Sequence, residues 1–256
     1  DVRWFDYWLK DKSNGVDHDT QVKIFVMGDN QWRDEPAWPL KRARSKIFFL
    51  AGSGQANTPA GDGKLVEQRP ADKSSDHYTY DPRDPVPTIF GPGNFTCATD
   101  LRPLSNRTDI LVYQTEPLTQ RVEVTGFPSV ELYAASSAPD TDFVAKLCDV
   151  LPDGRSILVA DGILRARYRQ SRARPRLLEP GKIYEFEIDL WSTAWLFSTG
   201  HRLRVIITSS CFPRFDRNPN TGRSIADSIE MCTARNRICH DDQHPSHIVL
   251  SVILPR

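Results

Sequence analysis

From Asp140 to Arg169 apolar and polar side chains alternate with a period of two. Phe143, Ala145 and Leu147 point one way, and Val144, Lys146 and Cys148 the other. Beyond Pro152-Asp153-Gly154, Leu164, Ala166 and Tyr168 alternate with Arg165, Arg167 and Arg169. Strands place successive side chains on opposite faces, so the pattern predicts a long hairpin with one buried face. The turn has the required chemistry: proline presets φ, aspartate bonds its own backbone, and glycine tolerates positive φ. A hairpin of this length needs a second sheet over its apolar side, which predicts a sandwich.

The same period recurs along the chain. Lys182 to Leu190 places Tyr184, Phe186, Ile188 and Leu190 inward and Glu185, Glu187 and Asp189 outward. Val130, Leu132 and Ala134 share a face, as do Leu203, Val205 and Ile207. Val22 to Met27, Ser45 to Ala51, Arg107 to Gln114, Arg121 to Thr125 and Ser246 to Leu254 read as further strands. Asp29 to Leu40 reads as a loop, Trp191 to Ser198 as a crossover, and Met231 to Pro245 as a polar connection. Gln55 to Pro92 reads as an ordered crossing, extended around Tyr78 to Pro87 by its prolines, and Phe212 to Gly222 as a structured loop. About nine strands separated by turn signals predict a mainly β fold, an antiparallel jelly-roll β-sandwich with a short N-terminal helix.

That helix is Val2 to Lys10. Trp4, Phe5, Trp8 and Leu9 share one helical face opposite Asp6 and Lys10, and so much aromatic surface must dock on something. Asp11 to Asp19 is turn-rich and reads as a linker between domains. A chain that starts inside such a helix is expected to be a piece of something longer. Residues 1–20 would be helix and linker, and residues 21–256 the β-sandwich.

Composition narrows the function classes. Lys+Arg and Asp+Glu both number 33, which removes the basic excess a nucleic-acid binder needs. The Arg165 to Arg174 run alternates with apolar residues and reads as a solvated strand face rather than a polyanion site. No apolar run reaches the ~18 residues of a membrane-spanning helix. The 5 cysteines lack a CxxC pair and read as small core residues, pointing to a reducing, cytoplasmic setting.

Motifs for chemistry are missing. There is no G-x-S-x-G nucleophile turn, P-loop, dinucleotide turn or H-E-x-x-H helix, so no catalytic nucleophile and no cofactor are expected. His240 and His244 would ligate a metal together only on a helix, and Pro245 favours a solvated loop, so no metal is expected. Asp140 and Asp142 read first as turn-capping residues, with paired acids or calcium ligands as the sharper alternative. His201 reads as a satisfied structural histidine. Trp32, Trp38, Trp191 and Trp195 either form a platform for sugar or pack in the core or against another domain.

Many ordered segments together carry a resemblance. WFDYWLK, VKIFVMGDNQWRDEPAWP, YDPRDPVPT, TDILVYQTEPL, VEVTGFPSVELYAASSAPDTDFVAKLCDVLPDGRS, DGILRARYR, GHRLRVIITSSCFPRFDRNPNTG and HPSHIVLSVILP resemble the C-terminal part of the CocE/NonD hydrolases. These are relatives of X-Pro dipeptidyl-peptidase and of bacterial cocaine esterase. The resemblance implies an α/β-hydrolase domain bearing a Ser-His-Asp triad, followed by a jelly-roll domain of galactose-binding-like type. This chain would be the second, with the last helix of the first attached, and inert by itself. Its implied partner is that catalytic domain, with a homo-oligomeric contact as a second possibility and neither nucleic acid nor membrane. The segment after YDPRDPVPT is implied to line the acyl pocket, with Phe90 and Phe95 as wall candidates. The rival function is a carbohydrate-binding module using exposed tryptophans.

Overall fold

The Pro152–Gly154 turn forms as expected: Gly154 has φ of 85° and its N–H donates to the Leu151 carbonyl. The computed structural model describes residues 2–57, 61–71, 74–91, 98–224 and 229–254. Helix α1 (Val2–Lys10) precedes a separate antiparallel ribbon of β1 (Val22–Val26) and β2 (Gln31–Glu35). The sandwich begins with β3 (Ala43–Ala51), β4 (Lys64–Val66), β5 (Ser75–Tyr80) and β6 (Leu111–Gln114). It continues through β7 (Val122–Gly126), β8 (Ser129–Ser136), β9 (Asp142–Val150) and β10 (Ser156–Arg165). β11 (Tyr184–Asp189), β12 (Thr193–Phe197), β13 (Arg202–Thr208), β14 (Ala234–Cys239) and β15 (His247–Ile253) complete it.

One layer runs β10-β9-β13-β6, and the other runs β3-β15-β8-β14-β5 with β11 also on β8. Short β4 joins them, giving one curled ladder. Pairing between the named strands is antiparallel except at β4–β6, and parallel bridges also join Met27 to Trp195 and Pro87 to Phe212. The layers meet face to face, as in a β-sandwich. Phe143 of β9 packs on Phe186 of β11 with ring centroids 4.7 Å apart, and Leu147, Val205, Leu132 and Ile248 are fully buried around them. Burying each such side chain stabilises the fold by about 1.5–3 kcal/mol. Gly162 on β10 is required by a close approach: a Cβ there would sit 2.0 Å from the Asp189 carbonyl oxygen.

The central hairpin differs from expectation in two ways. Every residue of β9 is buried, so the hairpin has two covered faces and not one. The second cover is a smaller apolar cluster, where Val86, Leu101, Leu104 and Ile110 pack on Cys148, Leu158 and Ile206. The loops carrying those residues cross the outer face of β9, β10 and β13. Second, β10 stops at Arg165, and residues 166–168 form a 3-10 turn. The arginine run is therefore not a solvated strand face. Arg165 and Arg167 turn inward, while Arg169 stacks 4.2 Å from the Tyr184 ring centroid.

Three stretches expected to be irregular are strands: β2 within Asp29–Leu40, β12 within Trp191–Ser198 and β14 within Met231–Pro245. Within Gln55–Pro92, the ordered crossing contains β4 and β5. Among the described residues no helix is long and apolar enough to cross a membrane.

Candidate docking face

The segment after β5 is laid against the segment after β13. Val86 donates its N–H to Ser210 Oγ at 2.8 Å and accepts from the Phe212 N–H at 3.0 Å; the Thr88 N–H then donates to the Phe212 carbonyl at 2.6 Å. Thr88 Oγ1 adds a bond to the Cys211 carbonyl at 2.9 Å and accepts one from the Arg214 N–H at 3.2 Å. Five hydrogen bonds make this a rigid platform rather than a free loop. Ile89 points down onto the smaller apolar cluster. Its neighbour Phe90 is 44% exposed, and Phe212 on the facing segment is 38% exposed. Phe90 thus stands exposed two residues beyond the bonded Thr88. Phe95 lies outside the described residues.

Beneath the platform is a buried polar layer. Arg214 grips both oxygens of Asp161, at 2.7 and 2.6 Å. Lys146, almost wholly buried, sits 3.4 Å from Asp161 and 3.2 Å from Cys211 Sγ. Further along, the 212–222 loop is structured as expected. Its Asn218 side chain donates to both Asp140 and Asp142 at 2.8 Å. Arg167 pairs with Asp140 at 2.8 Å and Arg165 with Asp142 at 2.9 Å. Burial pushes the Asp142 carboxyl above its ordinary range against the pull of Arg165. Asp140 and Asp142 are buried partners of arginines, not only turn caps, although Asp140 also accepts the Arg167 backbone N–H.

The histidines separate. His201 lies 2.8 Å from Asp149, whose other oxygen accepts the Trp195 indole N–H at 3.0 Å, so it is a satisfied structural residue as expected. His240 is not on a solvated loop. It closes β14, is buried, and places Nε2 2.7 Å from Asp76, which also accepts the Tyr113 hydroxyl and the Ala56 N–H. Burial pushes the Asp76 carboxyl up, but these donors outweigh it and hold the group below the usual carboxylate range. His244 instead caps onto Asp241.

Exposed aromatics gather elsewhere. On α1 Trp4 and Trp8 are 54% and 57% exposed and touch each other, and no residue of that helix is buried. Trp32 pairs with Phe25, and Trp38 with Phe127. Trp195 is in the core and Trp191 is exposed. Among the described residues no ring contact joins any two of Trp32, Trp38, Trp191 and Trp195, so they form no shared sugar platform.

Comparison with known proteins agrees with this geometry. The X-Pro dipeptidyl-peptidase C-terminal non-catalytic domain matches residues 14–249. Cocaine esterase from Rhodococcus sp. (strain MB1 Bresler) is 48% identical over 98% of this chain, which covers 45% of that protein. An aminopeptidase structure from a marine sediment archaeon, Thaumarchaeota archaeon, superposes with a TM-score of 0.88 at 29% identity, over 99% of this chain and 43% of that one. An alpha-amino acid ester hydrolase superposes with a TM-score of 0.83 at 31% identity, over 98% of this chain and 44% of that one. The chain thus spans less than half the length of these relatives. With its β-sandwich and its match over nearly all of the sandwich, the chain belongs to the X-Pro dipeptidyl-peptidase C-terminal non-catalytic domain family, as the C-terminal domain of a CocE/NonD-type hydrolase.

Proposed function

We propose that this domain packs on an α/β-hydrolase catalytic domain of the same parent and walls its acyl pocket. The parent would cleave an ester or amide by acyl transfer to a serine, releasing the alcohol or amine, and then to water. The observation that carries the reading is Phe90: an aromatic ring 44% exposed among the described residues, two positions beyond the five-bonded platform that also carries the exposed Phe212. Apolar walls with few polar groups are how pockets accept acyl bodies. Phe95 is the second wall candidate from the sequence. Residues 1–20 are read as the last helix and linker of the catalytic domain, which gives Trp4 and Trp8 their cover; a homo-oligomeric contact is the alternative cover. Free thiols at Cys148, Cys211, Cys232 and Cys239 favour a reducing, cytoplasmic setting.

The reading is tested in the full-length parent. Phe90→Ala should lower kcat/KM for bulky aromatic esters about tenfold while leaving small acetyl esters nearly unchanged. Equal loss on both substrates would remove Phe90 from the pocket. The isolated chain should hydrolyse no p-nitrophenyl ester, and turnover accompanied by a covalent serine label would overturn the non-catalytic assignment.

A further inference from the structure

Lys146, one of two buried Lys or Arg side chains among the described residues, meets a carboxylate, and so do the partly exposed Arg165, Arg167 and Arg214. Lys146 and Arg214 share Asp161, Arg165 takes Asp142, and Arg167 takes Asp140. Arg204, on β13 and only 9% exposed, breaks the rule. Its Nε and Nη2 both donate to one neutral acceptor, Gln114 Oε1, at 3.1 and 2.7 Å. Among the described residues, no carboxylate oxygen lies within 4.0 Å of its guanidinium. Nη1 makes no hydrogen bond within the described chain, and it is not one of the sealed polar atoms, so it opens onto accessible space. Burial opposes its charged form most, and Arg202, two residues away, adds a like charge. An arginine nevertheless stays protonated, so this largely buried position holds a positive charge with no counter-ion among the described residues.

The space beside it is built for an apolar body. A cavity of about 250 Å³ borders Arg204, with walls from Leu101, Leu104, Ile110, Val112 and Ile206. The other cation on its rim, Arg102, has an exposed head already paired with Asp100 at 2.7 Å. The cavity is smaller than the ~300–1,000 Å³ of pockets for drug-sized ligands, which limits the occupant to one ring or a short chain. Gln114 holds the guanidinium in place without neutralising it, and so leaves the charge for something else. Phe90 is not among the residues that wall the cavity.

We propose that Arg204 and this cavity bind a small monocarboxylate, its oxygens on the guanidinium and a single ring or short alkyl body against Leu101, Leu104 and Ile206. Both halves of the ligand are needed. A charge without a body gains little at a site open to water, and a body without a charge leaves Arg204 unpaired.

The test is titration of the 256-residue chain with cyclohexanecarboxylate, followed by calorimetry and ligand-observed NMR. Cyclohexylmethanol supplies the body without the charge, and acetate the charge without the body. Saturable binding of the acid, at least about tenfold tighter than either control, is the expected result. Ring protons should show contacts to the Leu104 methyl groups. Gln114→Glu supplies an internal carboxylate to Arg204 and should weaken the acid at least about tenfold while the chain melts no lower than wild type. Arg204→Gln should lose the same affinity. The proposal is overturned if the acid fails to saturate, if both controls bind as well, or if Gln114→Glu leaves the affinity unchanged.

Discussion

The loop over Asp140 and Asp142 and the helix α1 differ in where their polar and apolar atoms go. Around the loop the charges are inside: two carboxylates, two arginines and Asn218 satisfy one another under cover. On α1 the arrangement is reversed. Its ion pairs, Lys10–Asp6 and Arg3–Asp19, face solvent, and so do Trp4, Phe5, Trp8 and Leu9. The loop region is complete within this chain. The helix has all the apolar material of a core contact and no core of its own to join. A stretch that is self-sufficient should fail when one member is removed, whereas a stretch that depends on another surface should hardly notice until that surface is present.

The largest effect is expected at Asp140. Asp140→Ala leaves Arg167 and one donor of Asn218 buried without their acceptor. Removing one partner of a buried pair costs about 3–5 kcal/mol. Urea unfolding should show a loss of that size, and limited proteolysis should open the 212–222 loop. A loss below about 1 kcal/mol would mean the cluster is solvated, and the contrast with α1 would vanish.

A middle-sized effect separates two kinds of buried acid. The Asp76 carboxyl is held below its ordinary range, so its contribution is full above the unfolded carboxylate pKa of about 4 and is lost as pH falls through the lower folded value. Asp149 runs the other way: burial raises it, so its contribution is full at low pH and lost as pH rises through the folded value. Asp76→Asn should therefore cost about 1–3 kcal/mol at pH 7, and the deficit should shrink below pH 4. For Asp149→Asn the deficit should shrink in the opposite direction, from acid toward neutral pH. Urea midpoints of wild type and both variants across that range check the signs.

The sequence was most readable where one strand face is wet. β11 shows its alternation openly because Glu185, Glu187 and Asp189 point to solvent. β14 hid because its sequence, ARNRIC, puts a polar residue in the core: Asn236 is fully buried and donates to Ser209 Oγ at 2.8 Å. Likewise β9 looked half-buried because Lys146 lies on the face opposite Phe143, Ala145 and Leu147, whereas it is buried against Asp161 of the neighbouring strand. The same blindness applied to the arginine run. Alternation records which residues are charged and not whether a carboxylate waits opposite, and Asp140 and Asp142 lie 27 and 23 residues from their arginines. His240 was misplaced for that reason too, since Asp76 is 164 residues away. Platform residues such as Thr88 and Ser210 carried no signal beyond a proline-rich segment, because their bonds are to backbone atoms of another loop.

The smallest effect is expected on α1, and it is the most informative. Trp4→Ala and Trp8→Ala together remove two half-exposed rings whose ring contacts among the described residues lie within the helix itself. Surface substitutions of this kind shift stability by about 0.5 kcal/mol or less, so urea unfolding of the isolated chain should be unchanged. If the proposed packing of α1 on a catalytic domain holds, the same pair of changes in the full-length parent should loosen that junction and lower its melting temperature, because the rings would lose a surface to bury against. If the isolated chain lost several kcal/mol instead, α1 would be part of this domain's own core. If neither form responded, the aromatic face would need a different cover, and sedimentation of the chain at rising concentration would show whether a second copy supplies it.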